Sequence, residues 1–135
     1  MSLLDSIKEH EGFSKTVYND SLNIPTIGYG FAIKDLELSE EICEKILLEK
    51  LQDLIVRVGK KFPWWSKASE PIRDVVVELC YQLGVTGFSR FKKTIDHLEN
   101  RRYAKAATEM LDSKWARSDS PKRALAMSKI VKEQE

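Results

Sequence analysis

Residues 9–30 read "EHEGFSKTVYNDSLNIPTIGYG" and bring Glu11, Asp20 and Thr26 close together on a stretch punctuated by Gly12, Gly28 and Gly30. Two carboxyl groups with separate jobs are what hydrolysis of a glycosidic bond requires. One must be protonated to donate to the leaving oxygen, and the other ionised to activate water or to stabilise positive charge. Glu11 stands before a helix-stopping glycine, where the helix macrodipole disfavours a negative charge. Asp20 stands in a polar turn, where ionisation is easy. Thr26 offers a strand hydroxyl suited to holding a water beside Asp20, and Gly28 and Gly30 would let a sugar chain approach the backbone closely. From residue types and spacing alone two readings stand side by side: a catalytic pair, or an ordinary helix-end glutamate and turn aspartate around a structural hairpin.

The elements that must position these residues are legible from caps and periodicity. Ser2 caps a short helix, with Asp5 as its capping-box partner, Leu3, Leu4 and Ile7 on one apolar face and Gly12 as the stop. From Lys15 to Ile33 the strand formers Val17, Tyr18, Ile24, Thr26, Ile27, Tyr29 and Phe31 alternate with the turn residues Asn19-Asp20 and Leu22-Asn23, which predicts a small antiparallel sheet. Ser39 starts a long helix whose Cys43, Leu47, Leu51, Leu54, Ile55, Val58 and Phe62 recur every three or four residues, bounded by Gly59 and Pro63. Ser69 and Pro71 open a central helix rich in apolar residues (Ile72, Val75, Val76, Leu79, Leu83) that Gly84 closes. Phe88, Phe91, Ile95 and Leu98 mark another helix, Tyr103, Ala106, Ala107 and Met110 one more, and Ser120-Pro121 opens the last. The expected class is α+β: a small N-terminal sheet beside a mostly helical C-terminal body.

The chain of 135 residues, 42% hydrophobic and 32% charged, suits one compact soluble domain rather than two. It contains no repeats, no low-complexity segments and no apolar run of membrane-spanning length. The N-terminus "MSLLDSIKEHEG" interleaves charge with its apolar positions, unlike a secretory signal, and so predicts synthesis in the cytosol without a signal peptide. Cys43 and Cys80 lack metal-ligand spacing and fall on apolar helix faces, predicting buried reduced thiols. His10 and His97 lie far apart, and "HEGFS" lacks the second histidine of a zinc motif, so neither a metal nor another cofactor is expected. Charge is uneven: residues 1–83 hold 10 basic against 14 acidic side chains, a net −4, and residues 84–135 hold 12 against 7, a net +5. A basic C-terminal half suits an anionic polymer such as cell wall or nucleic acid, or is simply a solvated helix surface. With no helix-turn-helix or zinc pattern, nucleic acid is not the expected partner.

The opening stretch resembles the phage-type lysozymes, the muramidases of glycoside hydrolase family twenty-four that include the T-even phage enzyme. Glu11-Gly12, Tyr18-Asn19-Asp20 and Thr26-Ile27-Gly28-Tyr29-Gly30 match the family's Glu-x8-Asp-x5-Thr spacing. "CYQLGVTGFSRF" and "RRYAKAATEMLDSKWARSDSPKRA" resemble later segments in the same order, so the similarity covers nearly the whole chain. The resemblance implies a single lysozyme-like domain over 1–135: a small N-terminal lobe at about 12–38, a long connecting helix at about 39–61 and a helical lobe at about 69–135. It implies Glu11 as general acid, Asp20 as base or electrostatic partner, and Thr26 as the residue that helps place the attacking water. Arg123 corresponds to an arginine that pairs with the catalytic glutamate, Tyr81 and Gln82 to a substrate-facing pair, and Ala32 and Thr94 to weaker sugar contacts. Trp115 matches a core position.

The implied reaction is cleavage of the β-1,4 bond between N-acetylmuramic acid and N-acetylglucosamine in peptidoglycan, leading to bacterial lysis. In an inverting enzyme the two carboxyls would stand ~6.5–9.5 Å apart with water between them. The partners implied are glycan strands and a separate holin-type membrane permeabiliser that releases a monomeric endolysin to the wall. The alternatives are a lytic transglycosylase, which uses the sugar's own hydroxyl instead of water, and a wall-binding module without turnover. The sequence departs from the T-even enzyme at Phe31, where that relative has a histidine in an ion pair, and at Glu109, where it has an amide. The segment after the sheet is shorter, and the chain ends at "SKIVKEQE", short of a closing tryptophan segment. Trp64 and Trp65 either stack on sugars or cap the core, and their place between two helices favours the core.

Overall fold

The computed structural model describes residues 2–135. Backbone contacts divide the chain into two compact units, residues 1–44 and 45–135, with the division falling inside one long helix.

The first unit begins with α1 (Leu3–Glu11). Ser2 Oγ accepts from the Asp5 backbone N–H at 3.1 Å, the expected cap, and Gly12 at φ +70° ends the helix as its N–H donates to the Lys8 carbonyl. Leu3, Leu4 and Ile7 are exposed. Three strands come next, β1 (Ser14–Asn19), β2 (Pro25–Gly28) and β3 (Phe31–Ala32), antiparallel in the order β1-β2-β3. Thr26 faces Tyr18 on one side and Ala32 on the other. Flanked on both sides in the central strand, it is 3% exposed and is the one buried residue among the described residues of this unit.

Helix α2 (Glu40–Lys61) starts at Ser39, whose Oγ accepts from the Ile42 N–H at 3.2 Å. It runs through Gly59 and stops before Pro63, and its apolar stripe is buried only in the C-terminal half, at Leu54 and Val58. Cys43, expected inside, is exposed. It lies in the first turns of α2, where no described side chain of the helix is buried, whereas Cys80 lies within the helical core.

The second unit is helical. Helix α3 (Glu70–Ser89) opens at Ser69 with Pro71 in its first turn. Gly84, expected to close it, does break the helical path at φ +77°, but the chain re-enters helix at once and carries Phe88 back into the core. The expected helix through Phe88–Leu98 is therefore two pieces, the end of α3 and α4 (Lys92–Glu99). Next come α5 (Tyr103–Leu111), a wide turn at Trp115–Asp119 whose Ser120 N–H donates to the Trp115 carbonyl, and α6 (Pro121–Lys132). Val58, Ile72, Val76, Leu79, Phe88, Leu98, Met110 and Val131 form the buried centre. Phe62, Phe88, Phe91 and Trp115 make a continuous aromatic row with successive centroids 5.7, 5.9 and 6.1 Å apart. Trp64 and Trp65 pack half-buried against this core, as expected from their place between helices.

Among the described residues no helix is long and apolar enough to cross a membrane, and no group of three or more His, Cys, Asp or Glu side chains could hold a metal ion.

Candidate active site

Glu11 is the last residue of α1, exposed, and its position is set by the chain just beyond it. Gly12 turns the chain into β1, and two contacts fasten the end of α1 to the β2–β3 turn. The Phe13 ring lies 5.3 Å from that of Tyr29, and Lys8 Nζ sits 5.4 Å above the Tyr29 ring. This brings the Glu11 carboxylate onto the Cα of Gly30. A Cβ built on Gly30 would overlap Glu11 Oε2 and lie 3.0 Å from its Cδ. Gly30 also adopts φ +79°, so an added side chain would strain the backbone as well as displace the Glu11 carboxylate. Gly28 does the same for Phe31, whose ring atoms would stand 2.7 Å from an added Cβ. Phe31 thus packs over Gly28 and against Tyr29, with centroids 6.5 Å apart.

Asp20 begins the β1–β2 turn and is held by it. Its Oδ1 accepts from the backbone N–H groups of Leu22 at 2.8 Å and Ile24 at 2.9 Å, while its own N–H donates to the Ile24 carbonyl at 3.0 Å. Asn23 takes φ +62° at the tip, a conformation that asparagine tolerates. One carboxylate oxygen is therefore spent on orientation, and Oδ2 accepts no hydrogen bond among the described residues. Thr26 Oγ1 donates to the same Ile24 carbonyl at 2.8 Å. With its proton committed, the threonine hydroxyl faces any further partner as an acceptor. A single residue, Ile24, fixes both Asp20 and Thr26 through its backbone. Neither the Gly30–Glu11 contact nor the double use of Ile24 was expected from the sequence.

In the helical unit, Tyr81 and Arg123 line a groove of about 750 Å³ together with Leu47, Leu51, Ile55 and Trp65. Arg123 Nε donates to Glu78 Oε2 at 3.0 Å. Gln82 is exposed and its amide orientation is fixed. The Trp115 indole N–H can only donate, so the atom it meets at 3.0 Å is Oε1, and Nε2 then donates to Ser120 Oγ at 2.6 Å. Ser120, expected to cap α6 through its hydroxyl, gives that hydroxyl to Gln82 instead. Ala32 is half-buried in β3. Thr94 is buried in α4 and presents little surface to a sugar.

The family model for phage lysozyme matches residues 8–129, a span that takes in every site residue named above. The chain belongs to the phage lysozyme family. Among curated relatives of this lysozyme is "Probable T4-type lysozyme 2" of Dictyostelium discoideum, 27% identical over 153 aligned positions that cover 90% of this chain and 88% of the relative. "Probable T4-type lysozyme 1" of the same organism is 24% identical over 143 positions, covering 84% of each. As a phage lysozyme the protein is a glycosidase whose substrate is peptidoglycan.

Proposed function

We propose that this lysozyme is an inverting muramidase that cleaves the β-1,4 bond between N-acetylmuramic acid and N-acetylglucosamine, with Glu11 as general acid, Asp20 as general base and Thr26 as the residue that places water. The observation that carries this reading is the pairing of Asp20 and Thr26 through Ile24. A water that donates one proton to Asp20 Oδ2 and the other to Thr26 Oγ1 keeps its lone pair free for the anomeric carbon. Both groups can only accept from it, and both are held by the backbone, so little reorganisation is needed as the water loses its proton. Glu11 delivers its proton to the departing glycosidic oxygen, which keeps the leaving sugar from departing as an alkoxide. Over the reaction one proton passes from Glu11 to the leaving oxygen and one from the water to Asp20.

On this reading Tyr81, Gln82 and Arg123 are the helical unit's glycan contacts, with Ala32 a minor one from the sheet. Tyr81 contributes an exposed aromatic surface, and Gln82 keeps one amide proton and one carbonyl lone pair unspent. The two units act as one lysozyme domain in a monomeric endolysin, which reaches the wall after a separate permeabiliser opens the membrane and lyses the cell. A residue pair built to hold water favours hydrolysis over transglycosylation, in which the muramic acid's own hydroxyl attacks.

Mass spectrometry of borohydride-reduced fragments released from purified sacculi tests the reaction. Reducing N-acetylmuramic acid ends are expected. Anhydromuramic ends would replace the reading with a transglycosylase, and sacculi bound but left intact would replace it with a wall-binding module.

A further inference from the structure

The groove beside Tyr81 carries an ion pair whose placement helix electrostatics does not account for. Arg123 sits in the first turn of α6 with Lys122 for a neighbour and no acidic residue in that turn. This is the positive end of the helix macrodipole, where a cation is disfavoured. Its counter-charge comes from α3, where Glu78 Oε2 accepts from Arg123 Nε at 3.0 Å. The Arg123 and Glu78 side chains are 40% and 50% exposed, and an ion pair so open to water adds little to stability.

A second bond accompanies the first. Gln82, one turn after Glu78 on the same face of α3, donates to Ser120 Oγ at 2.6 Å, so residues 78 and 82 of α3 hold residues 123 and 120 at the start of α6. Only one of the five guanidinium N–H groups of Arg123 is spent, which leaves the four on Nη1 and Nη2. Glu78 spends one oxygen, and its Oε1 accepts no hydrogen bond among the described residues. The pair therefore sets unspent donors beside an unspent acceptor on the wall of the groove of about 750 Å³, whose lining includes the apolar Leu51, Ile55 and Val77. The other charged residues of the lining, Glu70, Arg73 and Asp74, stand a turn or more nearer the start of α3.

The spare atoms define what fits. A carboxylate would suit Arg123 and be repelled by Glu78, and an amine would meet the reverse. A neutral group that offers an acceptor and a donor side by side serves both at once. A sugar hydroxyl could do so but would leave the apolar lining uncovered, whereas an acetamido group adds a methyl. We propose that Glu78 and Arg123 together recognise the N-acetyl group of a glycan sugar, with the acetamido carbonyl accepting from Arg123 Nη, its N–H donating to Glu78 Oε1 and its methyl meeting Leu51, Ile55 and Val77. The assignment rests on the proposed role of Tyr81 and Arg123 as glycan contacts, and adds Glu78 to them as a residue that determines specificity. A site built to bond the amide rejects a sugar without it, because the pair would lose its bonds to water and gain none.

The test compares N-acetylated chitotetraose with cellotetraose, which has the same β-1,4 backbone and a hydroxyl in place of each acetamido group. Each is titrated into the full chain carrying Glu11→Gln, which keeps the probe intact, and binding is followed by the fluorescence of Trp65 at the groove and by amide chemical shifts in α3 and α6. Chitotetraose should bind at least about tenfold more tightly than cellotetraose, and adding Glu78→Gln should remove about tenfold of that preference. Glutamine keeps a carbonyl oxygen for Arg123 Nε but puts an NH2 group where the acetamido N–H needs an acceptor. Because the pair is exposed, this variant should melt close to the parent, and its loss of binding would not come from unfolding. Asp74→Asn removes the same charge one turn away and should keep the full preference. No binding of chitotetraose, equal binding of the two oligomers, an unchanged preference in Glu78→Gln, or an equal loss in Asp74→Asn would overturn the assignment. Preference for chitotetraose in a protein that leaves sacculi uncleaved would overturn the catalytic reading alone, and cleavage of sacculi without that preference would overturn the acetamido site alone.

Discussion

The carboxylate of Glu11 rests against the Cα of Gly30, with no room between them for a methyl group. The last residue of α1 and the tip of a hairpin thereby meet, and among the described residues the proposed acid makes this contact and no ion pair. Gly30→Ala should push the carboxyl aside and cost about 10²-fold in kcat/KM, the scale of a misplaced catalytic group. The left-handed backbone adds about 1 kcal/mol of destabilisation. Gly84→Ala is the control: it has a similar φ of +77° but nothing within 4 Å of an added Cβ. With ψ 157° it lies in a region that essentially only glycine adopts, so it should lose at least as much stability in thermal melts and keep its activity.

Asp20 separates structure from chemistry atom by atom. Asp20→Asn keeps an oxygen for the Leu22 and Ile24 N–H groups and replaces the unbonded one with an amide that cannot take a proton from water. Stability should change by less than about 1 kcal/mol, while turnover of sacculi falls by about 10²–10⁴-fold. An equal fall in melting temperature and activity would make Asp20 a turn residue.

Gln82 is expected to matter for stability as well as for substrate. Gln82→Leu leaves the Trp115 indole N–H without its acceptor in a half-buried setting, a loss of about 1–3 kcal/mol. Gln82→Glu retains an oxygen for Trp115, and Ser120 can turn to donate, so its loss should be the smaller. Chemical denaturation of both variants checks the order.

The two thiols should behave differently. Exposed Cys43 reacts promptly with a disulfide reagent in the native protein, and Cys80 only on unfolding. Burial pushes the Cys80 thiol up to about 11 from 9.0, opposed in part by the Arg57 charge. The neutral thiol's contribution to stability is therefore complete below pH 9.0 and is lost as pH rises toward about 11, because the unfolded chain gives up its proton first. Melts between pH 8 and 11 should show this loss in wild type and a flatter profile in Cys80→Ala.

Most of the fold was legible because its signals are local. Ser2, Gly12, Ser39, Ser69 with Pro71, and the turn residues at 19–23 each act within one turn of chain, and helical periodicity marks the core of α3 and α5 directly. Periodicity says which side chains share a face, not whether anything covers it, and so Cys43 was expected inside with Leu54 and Val58. Gly84 signalled a break, but a glycine cannot announce that the chain resumes its helix one residue later to bury Phe88. For the site, residue types and spacing suggested Glu11, Asp20 and Thr26, and the family resemblance gave them roles. The Gly30 contact, the shared Ile24 backbone and the Gln82–Trp115 bond are tertiary or depend on side-chain rotamers, and no local pattern encodes them.

The most direct test of the proposed mechanism is the rate at which Glu11→Gln releases reducing ends from purified sacculi, beside wild type and with folding verified by thermal melting. Glutamine fills the same space against Gly30 but has no proton to give. The mechanism predicts a folded variant with cleavage reduced by at least about 10²-fold. Cleavage within a few-fold of wild type would contradict it, because the proton for the leaving oxygen would then come from somewhere other than Glu11.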